Sequence, residues 1–236
     1  MIRNLSIVEL LKLTSILIIL LNSTVCFSQW EQANGPYGAN VSCIKQYENK
    51  IYCGISGGLV MSEDNGNTWT NIFDPLYTSL AVNAIVFLED TIFIGTSYGV
   101  YRSDDNGSTW LDISNGLTSN IVYTMEVLEN KLFAGTAQGL HKYTLGLNYW
   151  NRVLNGIGIQ PISCLQSKDN NIYAGTFDNG IYISSNQGTT WTPLNTGLNG
   201  TNIKTFGLCS SGLLCAIPSG IYLYSEQDSS WTELAP

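Results

Sequence analysis

Histidine and basic residues are scarce in this chain, and their scarcity excludes several kinds of chemistry. Among 236 residues there is one histidine, and 10 lysines and arginines stand against 18 aspartates and glutamates, which gives a formal net charge of −8. Because His141 is the only histidine, we expect neither a metal site built from several histidines nor a histidine-based catalytic triad. A surface with this excess of negative charge repels phosphate backbones, so we expect no nucleic-acid partner.

Long apolar runs are also missing, apart from one near the N-terminus. Residues 13–21 form an apolar run that follows Arg3 and a second basic residue and precedes several small residues. This run is too short to span a bilayer, which takes about 20 residues, and the pattern is that of a secretory signal peptide. We therefore expect residues 1–28 to be a signal peptide and residues 29–236 to be a secreted, periplasmic or cell-surface domain without a stable transmembrane anchor. The alternative is a lipoprotein signal peptide that uses Cys26.

The chain does contain a repeat of about 40 residues. Trp30 is followed after 39 residues by a tryptophan series with intervals of 41, 40, 41 and 40 residues, namely Trp69, Trp110, Trp150, Trp191 and Trp231. Each interval holds short runs of alternating polarity, a polar pair such as Glu89-Asp90 and a loop that contains glycine, a pattern typical of hairpins. Four short strands at a fixed period are typical of a propeller blade. We therefore predict an all-β fold, a β-propeller of about five four-stranded antiparallel blades.

An octapeptide ends on three of the tryptophans. It reads Ser-Glu-Asp-Asn-Gly-Asn-Thr-Trp at residues 62–69, Ser-Asp-Asp-Asn-Gly-Ser-Thr-Trp at 103–110 and Ser-Ser-Asn-Gln-Gly-Thr-Thr-Trp at 184–191. The acidic or amide side chain in the third position can accept bonds from backbone amides, the glycine can adopt a positive φ, and the tryptophan can bury a large surface against a neighbouring blade. We assign these structural roles to Ser62, Asp64, Gly66, Trp69, Ser103, Asp105, Gly107, Trp110, Ser184, Asn186, Gly188 and Trp191.

This octapeptide resembles the Asp-box, or BNR, repeat of sialidases, sortilin-type receptors, xyloglucanases and photosystem II assembly-factor propellers. Two copies match fully, the copy at 184–191 has asparagine in the acidic position, and the third and fifth repeats keep only the tryptophan and the flanking strands. Residues 115–122 and 133–136 also resemble the propeller repeat of two-component sensor ectodomains. The resemblance implies a propeller over residues 30–236, but proteins that share it include enzymes, receptors and chaperones.

The repeats do not add up to a closed ring. Trp30 has the position of an outer strand in a further blade, whose first three strands do not follow Trp231. Three interpretations remain open: an incomplete six-bladed ring with a missing C-terminal region, a small ring that tolerates the extra strand, or a gap that is filled by a strand-donating partner. The last of these follows from the rule that proteins normally cover an unpaired edge.

When the repeats are aligned with one another, four of the cysteines fall at equivalent strand positions, which we call columns. Cys43 and Cys164 share one column and Cys53 and Cys215 another, and small or apolar residues fill both columns in the other repeats. We therefore expect these cysteines to serve packing. A bridge between Cys43 and Cys53 across a hairpin is the alternative.

Candidate catalytic residues are few. The resemblance to sialidases implies an arginine trio that binds the substrate carboxylate, but only Arg102 and Arg152 follow the signal peptide, so sialidase activity is not expected. Other glycoside hydrolases need two carboxyl groups about 5–9.5 Å apart, and Asp74 and Asp178 lie on loops of one propeller face. His141 falls in a column of aromatic strand residues, where packing is the expected role. The octapeptide turns lack the ligand spacing of calcium loops, and we expect neither a metal nor a cofactor.

The same loops carry aromatic and amide side chains, which suit stacking and hydrogen bonding to a ligand. The predicted ligand-binding site comprises Tyr37, Tyr77, Tyr98, Gln138, Phe177, Asp178 and Asn179. The leading hypothesis is a non-catalytic propeller that binds a protein or a glycan on this loop face. A glycoside hydrolase that uses Asp74 and Asp178 and an assembly factor for a membrane protein complex are the alternatives.

Overall fold

Twenty β-strands form five four-stranded antiparallel sheets within the described residues of the computed structural model, which are 35–36, 40–73 and 80–234. The strands are β1 (Val41–Tyr47), β2 (Lys50–Ile55), β3 (Gly58–Ser62) and β4 (Thr70–Phe73) in blade 1; β5 (Val82–Leu88), β6 (Thr91–Thr96), β7 (Gly99–Ser103) and β8 (Leu111–Asp112) in blade 2; β9 (Val122–Leu128), β10 (Lys131–Thr136), β11 (Gly139–Thr144) and β12 (Tyr149–Val153) in blade 3; β13 (Ile162–Lys168), β14 (Asn171–Thr176), β15 (Ile181–Ser184) and β16 (Thr192–Pro193) in blade 4; and β17 (Thr205–Cys209), β18 (Gly212–Ile217), β19 (Gly220–Ser225) and β20 (Ser230–Leu234) in blade 5. A short 3-10 helix, Leu145–Leu147, joins β11 to β12. No helix in these ranges is long and apolar enough to cross a membrane.

Each blade begins with a tight hairpin at the predicted polar pair. In blade 2, for example, Leu88 pairs with Thr91 and leaves two residues in the turn. The first turn residue has a left-handed backbone in four blades, with φ between 52° and 54° at Glu48, Glu89, Glu129 and Asp169. A left-handed turn matches the right-handed twist of the two strands that it joins.

The blades follow one another in chain order. Strands occur in sequence order within each sheet, and the first strand of each blade lies beside the first strand of the next. The first strands are therefore the inner strands of the array, and the fourth strands are the outer ones. The predicted fold of about five four-stranded blades is confirmed.

The hydrophobic core consists of four clusters, one at each junction between consecutive blades. At the junction of blades 2 and 3, Phe93 and Val100 of one blade pack against Met125 and Trp150 of the other. The junctions of blades 1 and 2, 3 and 4, and 4 and 5 have clusters of the same kind. Stability in such an array depends on nearest-neighbour contacts, because no blade buries both of its faces alone.

The repeated tryptophan fastens blades 2, 3 and 5 to the blade before each of them, whereas the Trp191 indole donates to Gly188 in its own turn. Indole Nε1 atoms donate to carbonyl oxygens on the outer end of the preceding blade, at 2.7 Å from Trp110 to Ile72 and at 2.8 Å from Trp150 to Ile113. Trp231 makes the equivalent bond at 2.9 Å. Because these donors are partly or fully buried, the bonds add specificity to the apolar contact.

The five cysteines in the described residues are free thiols. Cys43 lies opposite Gly54 rather than Cys53, and its thiol donates to the carbonyl of Val82 at 3.5 Å. The alternative of a bridge between Cys43 and Cys53 is therefore wrong. Burial raises the pKa of Cys43, Cys164 and Cys215 to about 12, as expected for thiols that serve packing.

Candidate functional site

The octapeptide turns are closed by their own side chains. In the turn that ends at Trp69, the Ser62 hydroxyl accepts a bond from the amide of Gly66 at 2.8 Å and donates to Asp64 at 2.8 Å. The Asp64 carboxylate in turn accepts bonds from the amide and hydroxyl of Thr68 at 2.8 and 2.6 Å. These bonds hold the pKa of Asp64 down at about 2. The acid is thus fixed as a carboxylate inside its own turn.

The other two octapeptides repeat this geometry. Asp105 accepts the same two bonds from Thr109, at 2.8 and 2.6 Å. Asn186 replaces the acid in blade 4, where its Oδ1 accepts from the amide of Thr190 at 2.9 Å and its Nδ2 donates to the Thr190 hydroxyl at 2.8 Å. An amide therefore makes the same two contacts as a carboxylate, which indicates that the turn uses hydrogen bonding rather than charge.

The loop face is held in shape by a threonine clamp that recurs in three consecutive blades. The Thr96 hydroxyl donates to the carbonyl of Gly99 at 2.9 Å and accepts from the amide of Tyr98 at 3.0 Å. Thr136 makes the same pair of bonds around Gln138, and Thr176 makes it around Asn179. All three threonines are fully buried. Residues 97–98, 137–138 and 177–180 therefore form equivalent, locally braced loops.

These three loops carry the predicted binding residues that the structure describes. Tyr98, Gln138, Asp178 and Asn179 are exposed, and Phe177 is half-buried. The Phe177 ring stacks edge-on against Tyr123 of the neighbouring inner strand, with 5.3 Å between the centroids. The remaining candidates, Tyr37, Tyr77 and the acid Asp74, lie outside the described residues. The two-acid hydrolase and the full ligand site therefore stay predictions.

Arg152 belongs to the same face, although the sequence suggested a role for it only within an arginine trio. It lies opposite His141 on β12, its guanidinium runs over Gly139, and Nη2 donates to the carbonyl of Gln138. Within the described part of the chain Arg152 has no ion-pair partner. Arginine pairs with carboxylates through parallel hydrogen bonds, which makes Arg152 a candidate for contact with an acidic group of a ligand. The pairing of β11 with β12 brings Arg152 to the loop face. The repeat spacing alone does not show this pairing.

His141 has the packing role that its position among aromatic strand residues predicted. The side chain is fully buried, and Nε2 accepts a bond from the amide of Thr118 at 3.3 Å and lies 3.0 Å from the Thr118 hydroxyl. Burial lowers the pKa of His141 to about 4. The ring is thus neutral at pH 7 and bridges a strand to the loop that follows blade 2.

Glu126 is a partly buried acid on inner strand β9 that the sequence did not single out. Its Oε1 accepts a bond from the hydroxyl of Ser167 on β13 at 2.6 Å. Burial raises the pKa of Glu126, and the hydrogen bond and the charge of Lys45 work against that rise. The acid thus links the inner strands of blades 3 and 4. Among the described residues, neither Glu126 nor any other acid belongs to a cluster of three or more side chains that could hold a metal ion.

Comparison with solved structures finds the same architecture. The extracellular domain of the hybrid two-component system protein BT4673 of B. thetaiotaomicron is 16% identical with a TM-score of 0.58, and the match covers 88% of this chain but only 35% of that domain. The structure of YCF48 bound to D1 peptide is 16% identical with a TM-score of 0.68, and the match covers 89% of this chain and 71% of that one. The computationally designed Ika8 protein is 14% identical with a TM-score of 0.53, over 81% of this chain and 73% of that one.

The fold is a β-propeller. The propeller that the Asp-box resemblance implied is thereby confirmed, and at these identities the likeness concerns the fold alone. No protein-family model matches the sequence, and the comparison with curated proteins gives no match.

Proposed function

We propose that this chain is a non-catalytic β-propeller that binds a segment of another protein on its loop face, outside the cytoplasm. The observation that carries the proposal is the repeated threonine clamp, which holds Tyr98, Gln138 and Asn179 on equivalent loops of three consecutive blades. A braced surface binds well because little conformational entropy is lost when the ligand arrives. The ring of Phe177 supplies an apolar contact, and the cation of Arg152 supplies a partner for a carboxylate of the peptide.

Two comparisons support the choice of a protein ligand and of the compartment. YCF48, a propeller of the same fold, was solved with a peptide bound, and the BT4673 neighbour is an extracellular domain. The signal-peptide pattern of residues 1–28 agrees with a location outside the cytoplasm. A glycan remains the alternative ligand for the same aromatic and amide side chains.

Selection of peptides from a random phage-displayed 12-residue library on the immobilised full chain tests the proposal. We expect enriched peptides to lose about tenfold in affinity for Phe177→Ala and for Arg152→Gln, measured by fluorescence anisotropy. Tyr149→Ala is the matched control, because Tyr149 is an exposed tyrosine at the opposite end of blade 3. Failure to enrich any peptide, or equal affinity for all three variants, would refute a protein-binding loop face.

The same protein on a glycan array distinguishes the alternatives. Binding of glycans with loss in Phe177→Ala would move the ligand class from protein to carbohydrate. Release of reducing ends from the bound glycans, abolished by Asp178→Asn, would replace the binding hypothesis with the glycoside hydrolase.

A further inference from the structure

The two ends of the blade array expose apolar residues that every internal blade buries. In blade 1, Val41 and Ile44 are 49% and 67% exposed, whereas Val82 and Ile85 at the same positions of blade 2 are 0% and 6% exposed. At the other end, Ile221 of blade 5 is 51% exposed. Its counterparts in the four other blades are 0% exposed, namely Leu59, Val100, Leu140 and Ile181. The outward face of blade 5 is therefore built as half of a blade junction.

The internal junctions show what such a face receives. The octapeptide turn of blade 4 rests on blade 3, where the side chain of Gln187 accepts a bond from Lys131 and donates to Glu129 at 2.6 Å. The backbone carbonyl of Gln187 accepts from Lys142 at 3.2 Å. At the next junction, Glu226 in the turn of blade 5 forms an ion pair of 2.6 Å with Lys168 of blade 4. The ends of blades 3 and 4 thus each form a seat for the turn of the following blade.

The seat on blade 5 is an open cavity of about 550 Å³. Its lining includes Ser210, Gly212 and Leu223, which occupy the positions of the three blade 3 residues that hold Gln187. The cavity also reaches the ion pair of Lys168 and Glu226 at the junction with blade 4. Cys209, which takes the position of the buried Leu128, is exposed at the same cavity. The cavity therefore has the place and the walls of an octapeptide seat without the octapeptide.

A second cavity supports this interpretation independently. It measures about 190 Å³ and lies on the blade 2 seat, lined by Glu89, Thr91 and Arg102 together with Leu145 of blade 3. Blade 3 is the blade whose turn has lost the octapeptide and forms the 3-10 helix Leu145–Leu147 instead. At the blade 2 seat, a turn without the octapeptide therefore leaves part of the space unfilled.

We propose that the outward face of blade 5 docks a β-hairpin that carries an Asp-box turn and the following tryptophan. The turn fills the cavity at Cys209 and Gly212, and the tryptophan and its flanking strands cover Ile221 and Leu234. The partner is a hairpin rather than a whole blade, because Ala216 replaces the glycine that the other blades need at the inner end. At that position a Cβ on Gly95 would lie 2.6 Å from Val122 of the next blade. This surface is separate from the loop face and does not depend on its function.

The exposed thiol of Cys209 reports on occupancy of the seat. The probe is a synthetic peptide with the sequence of residues 181–194, which contains the blade 4 octapeptide and both flanking strands. We expect a saturating amount of this peptide to slow the reaction of Cys209 with Ellman's reagent at least tenfold. A peptide with Trp191→Ala should give no protection, and the full-chain variant Cys209→Ser identifies the reacting thiol.

Substitutions in the protein locate the docking face. Ile221→Asp should abolish the protection, whereas Leu111→Asp should leave it intact, because Leu111 is an equally exposed strand residue of blade 2. Phe177→Ala on the loop face should also leave it intact, which separates this surface from the proposed function. Equal reaction rates with both peptides would overturn the proposal. Protection that rises with protein concentration alone, together with a dimer in sedimentation, would overturn it in favour of a second copy of this chain.

Discussion

The single histidine gives the fold a measurable dependence on pH. His141 is fully buried and accepts a hydrogen bond from the Thr118 amide, and burial lowers its pKa from 6.5 to about 4. Below pH 6.5 the unfolded chain therefore binds a proton that the folded chain excludes, so stability falls as the pH falls. The full difference between pKa values of 6.5 and about 4 corresponds to about 3 kcal/mol. Of this, about 2 kcal/mol is lost between pH 7 and 4.5.

Urea unfolding of the wild type and of His141→Phe at pH 7, 6, 5 and 4.5 measures this effect. The variant leaves the Thr118 amide without an acceptor, so it should be less stable by about 1–3 kcal/mol at pH 7. Its stability should then fall about 2 kcal/mol less than that of the wild type on the way to pH 4.5. Glu126, whose raised pKa has the opposite effect, is present in both proteins and cancels in the comparison. Parallel pH profiles would refute the inference that a neutral, buried His141 limits stability in acid.

Substitutions at three further positions test the junctions, the loop face and the turns. Trp150→Ala, at a fully buried position between blades 2 and 3, should cost about 3–5 kcal/mol in urea unfolding, and a cost below 1 kcal/mol would contradict junction packing. Thr136→Val should cost about 1–3 kcal/mol and speed amide exchange in the loop that it clamps; unchanged exchange would show that the clamp does not brace the loop. Asp105→Asn should keep the wild-type Tm, because Asn186 makes the same bonds in blade 4, whereas Asp105→Ala should lower it. Equal Tm values for the two variants would contradict the hydrogen-bonding role.

The blades could be predicted because each carries its own local signals. Polar pairs such as Glu89-Asp90 set the first hairpin, and the octapeptides set the turn before the outer strand. These signals act over fewer than ten residues, so they are visible in the sequence without knowledge of the neighbouring blade. The period of about 40 residues then predicted about five blades.

The candidate site was predicted less completely, because its parts meet only in the folded array. Gln138 and Asn179 were found as loop residues, but nothing local showed that Thr136 and Thr176 clamp their backbones. Arg152 was missed as a loop-face residue because it comes from an outer strand, 14 residues after the carbonyl that it contacts. Contacts between strands depend on register, which the composition of one strand does not contain.

The irregular repeats carry more information about function than the regular ones. A complete octapeptide, as in blade 4, fills its seat and satisfies its own hydrogen bonds, which leaves nothing for a ligand. On the outward face of blade 5 the seat remains open, with Ile221 and Cys209 exposed. A repeat array buries its faces by stacking like on like, so an end that keeps its apolar face fits best a partner of the same kind. The seats that the chain itself fills therefore indicate the chemistry of the partner.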